Sequence, residues 1–394
     1  MSIGAALALG LAVASLPGTF ELALLTLGAL LGRWREGRAD AARGAGAAEP
    51  FRLVVVVPAH DEQERIGACL ASLEAASTPL VESRILVVAD NCADATARAA
   101  AEAGAEVIER NDPLRPGKGQ ALAFAFERLD MSRLDAIACV DADSRVAPSF
   151  FTELAAAFGD GADAVQVTYT VAGPTASTRA RLQCLALAAS NELRPRGRAF
   201  WGLSAGILGN GFAVSRQTIA AVPFQAGSIV EDLEYHLALV RAGKLVRYLD
   251  STEVQAELPG RPAAFAAQKA RWEGGRLRML REHAPGLVAE VVRGRWRLVE
   301  PLLDLLLLPL SYHGLLLAAC ALPAFAPTRA AAAVGLGVVA THALAACLLA
   351  RPRPGLLALA LLPLYAGWKL ALLPRILLAS RRRAPWVRTD RSRP

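Results

Sequence analysis

The apolar residues of this 394-residue chain are not spread evenly: long apolar runs sit at the two ends, and ordinary globular sequence lies between them. Hydrophobic residues make up 54% of the chain. Their segregation is the layout of a chain that crosses a bilayer near its ends and folds in water in the middle. The length leaves room for one large soluble domain plus several spans. Ile3 to Leu31 is long enough to cross, with Glu21 its only ionised side chain and Arg33-Trp34-Arg35 immediately after it. A signal peptide is the weaker reading, because no basic residue precedes the run and the run exceeds a usual signal core. Positive charge after the span predicts an N-terminus facing out and a central region in the cytoplasm, on the inner (cytoplasmic) membrane of a multi-pass protein.

After Glu290 three more apolar stretches follow, Leu302 to Phe325, Ala330 to Ala350 and Gly355 to Leu378. If all three crossed, the basic tail from Arg381 to Pro394 would lie outside, which the positive-inside rule disfavours. Pro301, Pro309 and Pro323 interrupt the first stretch and Pro363 and Pro374 the last, so one stretch is expected to re-enter or lie in the interface. The expected organisation is an N-terminal transmembrane helix (1–32), a linker (33–50), a central domain (51–285), an interfacial segment (286–300), two or three spans (301–380) and a basic tail (381–394). The net charge of +7 sits largely beside the apolar runs, in Arg33, Arg35 and Arg38, in Arg293 to Arg297, and in Arg381 to Arg393. That placement signals topology and a lipid-bilayer partner rather than nucleic acid. Six scattered cysteines, with no C-x-x-C and no clustered histidines, indicate neither a zinc site nor a disulfide framework.

From Phe51 the pattern changes to short apolar runs alternating with amphipathic segments: Leu53 to Val57, Ile66 to Leu73, Ile85 to Val88, Ala95 to Ala103. Continuous β-branched runs between turn signals predict strands buried on both faces, and helices between them imply a parallel sheet. The fold class is α/β, of the nucleotide-binding kind. Further strands are expected at Glu106 to Glu109, Ala136 to Val140 and Ala164 to Tyr169, with helices at Gln120 to Arg128, Ser177 to Leu193 and Pro262 to Arg281.

Six clusters carry chemistry. Pro58, His60, Asp61 and Glu62 end the first strand, where open α/β sheets bind ligands, although the same residues also read as a capped helix start. Asp90 ends the second strand and suits the uracil edge or the ribose, whereas Asp94 reads as a plain N-cap. Lys118, flanked by Gly117 and Gly119, offers a flexible cation for a phosphate or base without the upstream glycine of a P-loop. Asp141 and Asp143 follow the wholly apolar Ala136 to Val140, and alternation along an extended segment would point both to one side. Such a pair suits a hard divalent cation that also holds a diphosphate, although any D-x-D also reads as a solvated turn. Glu231 and Asp232 open an amphipathic helix running to Val240. A desolvated Asp232 suits a general base, and Glu231 and Glu234 read as first-turn charges on the helix dipole. Gln268, Arg271 and Trp272 share one helix face and together suit a diphosphate and a sugar ring, or else a surface helix with one buried tryptophan.

In this order, over residues 51 to about 282, the motifs resemble the membrane-bound family 2 glycosyltransferases, which include cellulose, hyaluronan and chitin-oligosaccharide synthases. The resemblance implies a GT-A fold, a Rossmann-like mixed sheet flanked by transmembrane helices. It implies diphosphate contact for Asp141, a metal, Mg2+ or Mn2+, for Asp143 (with Asp141), a base at Asp232 beside Glu231, and uridine contacts from Pro58, His60, Glu62, Asp90 and Lys118. Gln268, Arg271 and Trp272 match its Q-x-x-R-W motif at the acceptor and diphosphate, and Gly209, Asn210 and Gly211 its glycine-rich acceptor loop. Departures are Asp61 where many relatives have asparagine and Val230 where threonine is common. Trp386, Arg388 and Arg391 resemble a short C-terminal W-x-R motif.

These readings lead to an inverting transfer of a sugar from a UDP-sugar donor to a hydroxyl on a glycan or lipid acceptor at the membrane, in exopolysaccharide or cell-envelope synthesis and with a possible export subunit. The alternatives are a single-transfer glycolipid enzyme, acting on ceramide, diacylglycerol or a polyprenyl phosphate, and a non-catalytic sugar-nucleotide sensor. Retention of Asp141, Asp143, Asp232 and Arg271 together argues against the sensor, which needs no base.

Overall fold

The computed structural model describes residues 3–36, 50–172, 177–225, 230–257, 262–323 and 325–381. The chain divides into two compact units, a sheet unit of Arg35–Ala172 with Ser204–Leu258 and a helical unit of Met1–Trp34, Gly173–Leu203 and Pro259–Pro394. It opens with the 34-residue helix α1 (Ile3–Glu36). The sheet unit follows as β1 (Phe51–Ala59), α2 (Ile66–Ala75), β2 (Val81–Asp90), α3 (Thr96–Glu102), β3 (Glu106–Arg110), α4 (Lys118–Phe126), β4 (Ala136–Cys139), β5 (Ser144–Val146), α5 (Phe150–Gly159) and β6 (Ala164–Ala172). The chain then leaves the sheet for α6 (Thr178–Leu187), a π-helical turn (Ala188–Leu193) and α7 (Arg194–Phe200). It returns as β7 (Phe212–Ser215), α8 (Arg216–Ala221), α9 (Glu231–Arg241) and β8 (Val246–Glu257). The remainder is α10 (Pro262–Val292), α11 (Val299–Leu306), α12 (Leu310–Cys320), α13 (Ala326–Leu349), α14 (Leu357–Ala360) and α15 (Leu362–Ala379).

The eight strands form one sheet in the order β3-β2-β1-β4-β7-β6-β8-β5. β1 pairs in parallel with β2 and β4, and β2 with β3, as the alternation of strands and helices predicts. Beyond β4 the parallel pattern ends and the sheet is mixed, as the family resemblance implies: β7 is antiparallel to both β4 and β6, and β5 to β8, while β6 and β8 are parallel. A crossover helix returns the chain to its starting end and forces parallel pairing. β7 is reached instead through the α6–α7 excursion, so no such constraint acts on it, and the sheet is mixed.

Leu53 to Val57 of β1 are completely buried. Leu53, Val55 and Val57 pack with Ile66, Leu70 and Leu73 of α2 and with Phe150, Phe151 and Leu154 of α5. Val54 and Val56 face Leu122 of α4 and Leu239 of α9. Each such aliphatic side chain contributes about 2 kcal/mol of burial, which is why this strand is apolar on both faces. β1 also marks the switch point, with β2 on one side and β4 on the other. The carboxyl ends of these strands therefore open a crevice.

In the helical unit α7 crosses α1 at glycines: a Cβ on Gly197 would stand 2.2 Å from the Leu25 carbonyl oxygen, and one on Gly28 2.5 Å from Trp201 Nε1. Small residues of this kind let helices approach closely in an apolar medium. Arg198, buried, pairs with Glu300 and with Asp304 (2.5 Å) and lies 4.0 Å from Glu21, and Arg276 pairs with Asp304 (3.0 Å). Among the described residues three helices are long and apolar enough to cross a membrane, Ile3–Gly32, Ala326–Leu349 and Leu362–Ala379. Trp296–Leu306 with Leu310–Cys320, bent by 77°, makes a fourth if it counts as one span. The expected apolar stretch Leu302 to Phe325 is thus broken before Pro309, where the ring removes an N–H and constrains the preceding residue. Ser177 to Leu193 is not one α-helix but α6 continued by the π turn, and α10 runs on to Val292. The greater part of the expected linker (37–49), and the tail from 382 with Trp386, Arg388 and Arg391, lie outside the described residues.

Candidate active site

The carboxyl ends of β1, β2 and β4 bring several of the expected residues together. Lys118, the first residue of α4, donates from Nζ to Asp141 Oδ1 and to the carbonyl oxygen of Gly209. Gly117 before it has φ +121°, a conformation open to glycine, so the lysine enters its helix from a turn other residues would strain. Desolvation works against the ammonium, but Asp141 and Glu231 outweigh it and hold its pKa above the ordinary lysine value.

Asp141 to Ser144 is a turn closed by the Ser144 N–H on the Asp141 carbonyl (3.0 Å). The expectation that alternation along an extended segment aligns the two aspartates is therefore wrong, because β4 ends at Cys139 and the chain bends before it reaches Asp143. What braces the turn is Asn210. Its Oδ1 accepts from the Asp141 N–H (3.0 Å) and its Nδ2 donates to Ser144 Oγ (2.9 Å). Gln166 on β6, fully buried, holds Asn210 in turn, donating to its carbonyl (2.8 Å) and accepting from the Leu208 N–H (2.8 Å). Gln166 was missed from sequence; its one signal is a polar residue inside the apolar run of β6. Gly211 (φ +67°) allows a close approach, since a Cβ there would stand 2.4 Å from Val254 Cγ1. Asp143 is 8% exposed and accepts from the Ser144 hydroxyl (3.2 Å).

Asp232 lies in the first turn of α9, its Oδ1 accepting from the Leu233 N–H (2.8 Å). Burial raises its pKa, while the Leu233 N–H and Lys118 act in the opposite direction. Glu231, also buried, is pushed up to about 8, first by desolvation and then by Asp232. Burial thus pushes both neighbouring carboxyls toward the protonated form, and they titrate as a pair. The phenol of Tyr169 on β6, which nothing in the sequence singled out, is raised by burial and then by Asp141, and faces Asn210.

The β1 and β2 ends form a second group. Asp90 is buried and takes Arg110 Nη1 at 2.6 Å, with the Asn91 amide at 3.0 Å and the Gly117 N–H at 3.4 Å. A carboxylate has about four acceptor directions, and Arg110 claims only some of them; this buried partner was not foreseen. His60 donates from Nδ1 to the Asp90 carbonyl (2.7 Å). Glu62 anchors the loop, its N–H on Thr96 Oγ1 (2.7 Å) and its carboxylate on Arg65 (3.3 Å). Pro58 is the last residue but one of β1, paired with Val88. Asp94 is not the N-cap expected of it: Ala95 holds that position in α3 without a side-chain cap, and Asp94 stands one residue before it, accepting from the Thr96 N–H (2.9 Å) across a local turn. Gln268, Arg271 and Trp272 belong to the helical unit, on α10. Gln268 is buried there, and Lys269 Nζ lies 5.5 Å from the Trp272 ring centre.

Residues 50–275 match the family model described as Glycosyltransferase like family 2. Glucosyl-3-phosphoglycerate synthase of Mycolicibacterium paratuberculosis is 32% identical over 204 residues, 47% of this chain and 59% of the relative. The low-salt glycan biosynthesis hexosyltransferase Agl6 of Haloferax volcanii is 42% identical over 91 residues, 23% of this chain and 21% of the relative. The chain thus spans less than two thirds of the length of either. Among solved structures, the mannosyltransferase PcManGT from Pyrobaculum calidifontis, in complex with GDP-Man and Mn2+, aligns over 94% of this chain and 98% of its own, at 17% identity and a TM-score of 0.49.

Proposed function

Because the chain belongs to the family-2-like glycosyltransferases, we propose that it moves a hexosyl group from a nucleoside diphosphate sugar, UDP-linked by our reading, to a hydroxyl of an acceptor at the membrane, with inversion. The observation that carries this is Lys118, which joins the metal-type carboxylate Asp141 to the Gly209 loop against which Asp232 packs. Donor-side and acceptor-side groups thereby meet at the switch point of the sheet.

The donor set fits a hard divalent cation. The Asp141–Ser144 turn offers two carboxylates, and oxygen ligands of this type suit Mg2+ or Mn2+. When bound there, such an ion neutralises the charge that builds on a departing diphosphate. Lys118 adds a fixed cation on the same side. Asp232 takes the proton of the acceptor hydroxyl while the oxygen of that hydroxyl forms the bond to the anomeric carbon. The bond from that carbon to the diphosphate breaks, and its electron pair leaves with the nucleotide. The buried bracing of Asn210 by Gln166 holds the Asp141 turn in place before substrate arrives.

The product we assign is a cell-envelope or exported glycan, built on a lipid-linked acceptor. The apolar helices found among the described residues support an acceptor held in the bilayer. The test is turnover of purified protein in native lipid with separate UDP- and GDP-sugars and Mn2+, following nucleotide release and product mass beside Asp232→Asn. One donor should give metal-dependent turnover that the variant loses. Nucleotide binding without turnover of any donor would reject the transferase reading.

A further inference from the structure

The last apolar helix, α15, has the length and composition of a span, but its neighbours are those of a helix that stays on one side. α1 sets the depth scale of the helical unit. Along it, Ala12 clusters with Cys320 and Ala332, Thr19 hydrogen-bonds His313 (3.0 Å) and Thr26 hydrogen-bonds His342 (2.7 Å). α13 therefore runs in the same direction as α1, and α12 in the opposite one. The end of α13 lies at the side where α1 leads into the sheet residues.

The loop after α13 is held there. Arg196 donates to the Leu349 carbonyl (3.0 Å), the Arg351 N–H donates to Glu192 (3.1 Å), and a Cβ on Gly355 would stand 3.5 Å from the Arg181 guanidinium. Glu192, Arg196 and Arg181 belong to the excursion between β6 and β7, both ends of which join the sheet unit.

The other end of α15 returns to the same side. Phe265 of α10 stacks on Trp368 (5.4 Å), and Glu273 pairs with Lys369, which is 1% exposed. A Cβ on Gly274 would stand 2.7 Å from that of Ala379, and Arg281 donates to Ser380 Oγ (3.0 Å). Between Lys269 and Glu282, α10 carries seven ionised residues, a density the hydrocarbon core excludes. A helix lying alongside it from Trp368 to Ser380 shares its depth. The charges flanking α15 agree: Arg351 and Arg353 precede it and Arg381 to Arg383 follow it, so a crossing would strand one basic group outside.

We propose that α15 does not cross the membrane but lies in the leaflet on the catalytic side, offering exposed Leu364, Leu370, Leu373, Leu377 and Leu378 to lipid acyl chains. The chain then crosses three times, through α1, the bent α11–α12 pair and α13. This rests on the membrane part of the proposed function and is independent of the chemistry.

Full-length protein carrying Cys92→Ala and one added cysteine, Leu322→Cys, Arg353→Cys or Ser392→Cys, should be exposed to a membrane-impermeant maleimide in intact bacterial host cells and after permeabilisation. Position 322, between α12 and α13, should label from outside, and 353 and 392 only after permeabilisation. A crossing α15 would expose one of 353 and 392 but not the other, so labelling of either from outside overturns the proposal, as does a shielded 322. Nitroxides at 364, 370 and 377 should report similar depths, whereas a crossing helix would spread them over about 20 Å. Recovery of the protein away from membranes would overturn the anchoring reading as well, and turnover measured on the same variants separates either failure from that of the transferase.

Discussion

Gly209 lies against Asp232 so closely that a Cβ on the glycine would stand 3.0 Å from Asp232 Oδ2, and the glycine also holds φ +83°. An alanine there meets two obstacles at once, the left-handed backbone, about 1–2 kcal/mol, and the carboxylate. Gly209→Ala should lower kcat/KM at least about tenfold with little loss of melting temperature, since tenfold corresponds to about 1.4 kcal/mol. Steady-state kinetics beside thermal melting checks this; unchanged kinetics would detach the loop from the reaction.

Asp232→Asn keeps the shape and removes the base. A general base of this kind contributes about 10²–10⁴-fold, so kcat should fall by that much while nucleotide affinity, measured by calorimetry, stays within about threefold. A parallel loss of affinity would move Asp232 from proton transfer to donor binding. Anomer-resolved NMR of the wild-type product tests inversion in the same preparation.

The carboxyl of Glu231 sets a pH dependence whose sign follows from its raised pKa of about 8 against an ordinary 4.5. Between those values the folded protein keeps a proton that the unfolded chain has released, so metal-free stability should fall as pH rises through that window. Glu231→Gln should flatten the fall in melts recorded with EDTA. Activity should run the other way, rising with pH as the carboxyl pair loses its proton, with the midpoint lower in Glu231→Gln because a like charge is gone. Superimposable profiles for wild type and variant would count against this coupling.

Removing divalent ions with EDTA should abolish turnover, and Mn2+ or Mg2+ should restore it. Asp143→Asn should raise the Mn2+ concentration needed for half-maximal rate at least about tenfold, as expected when one carboxylate ligand becomes neutral. Full activity in EDTA would remove the metal from the mechanism.

Arg198 is the hub of the buried ion network with Glu300 and Asp304. Arg198→Met strands those carboxylates, and breaking a buried pair by losing one partner costs about 3–5 kcal/mol. The detergent-solubilised variant should melt well below wild type. An unchanged melt would mean that the carboxylates protonate at little cost.

The strands were legible because burial on both faces writes itself into sequence as an unbroken apolar run, as in Leu53 to Val57. Asp141, Lys118 and Asp232 stand out in the sequence because they sit at element ends, where polar residues interrupt those runs. The turn from Asp141 to Ser144 was not legible, since it is braced by Asn210, 69 residues further on. The role of the excursion through α6 and α7 was hidden for a related reason, since Arg198 is buried on carboxylates more than a hundred residues away. Long-range charge partners leave no local trace.

The same excursion decides how this enzyme can be taken apart. Residues 173–203 are covalently part of the stretch between β6 and β7 yet cluster with the helical unit, where Leu185, Ala188, Ala189 and Leu193 are covered in part by Ala345 and Ala346. A fragment trimmed at both ends to residues 50–258 would still carry this apolar splinter, stripped of its cover and prone to aggregate. The helical and sheet units are interleaved along the chain, and isolating the sheet unit would require replacing the excursion itself with a short polar bridge from Ala172 to Ser204.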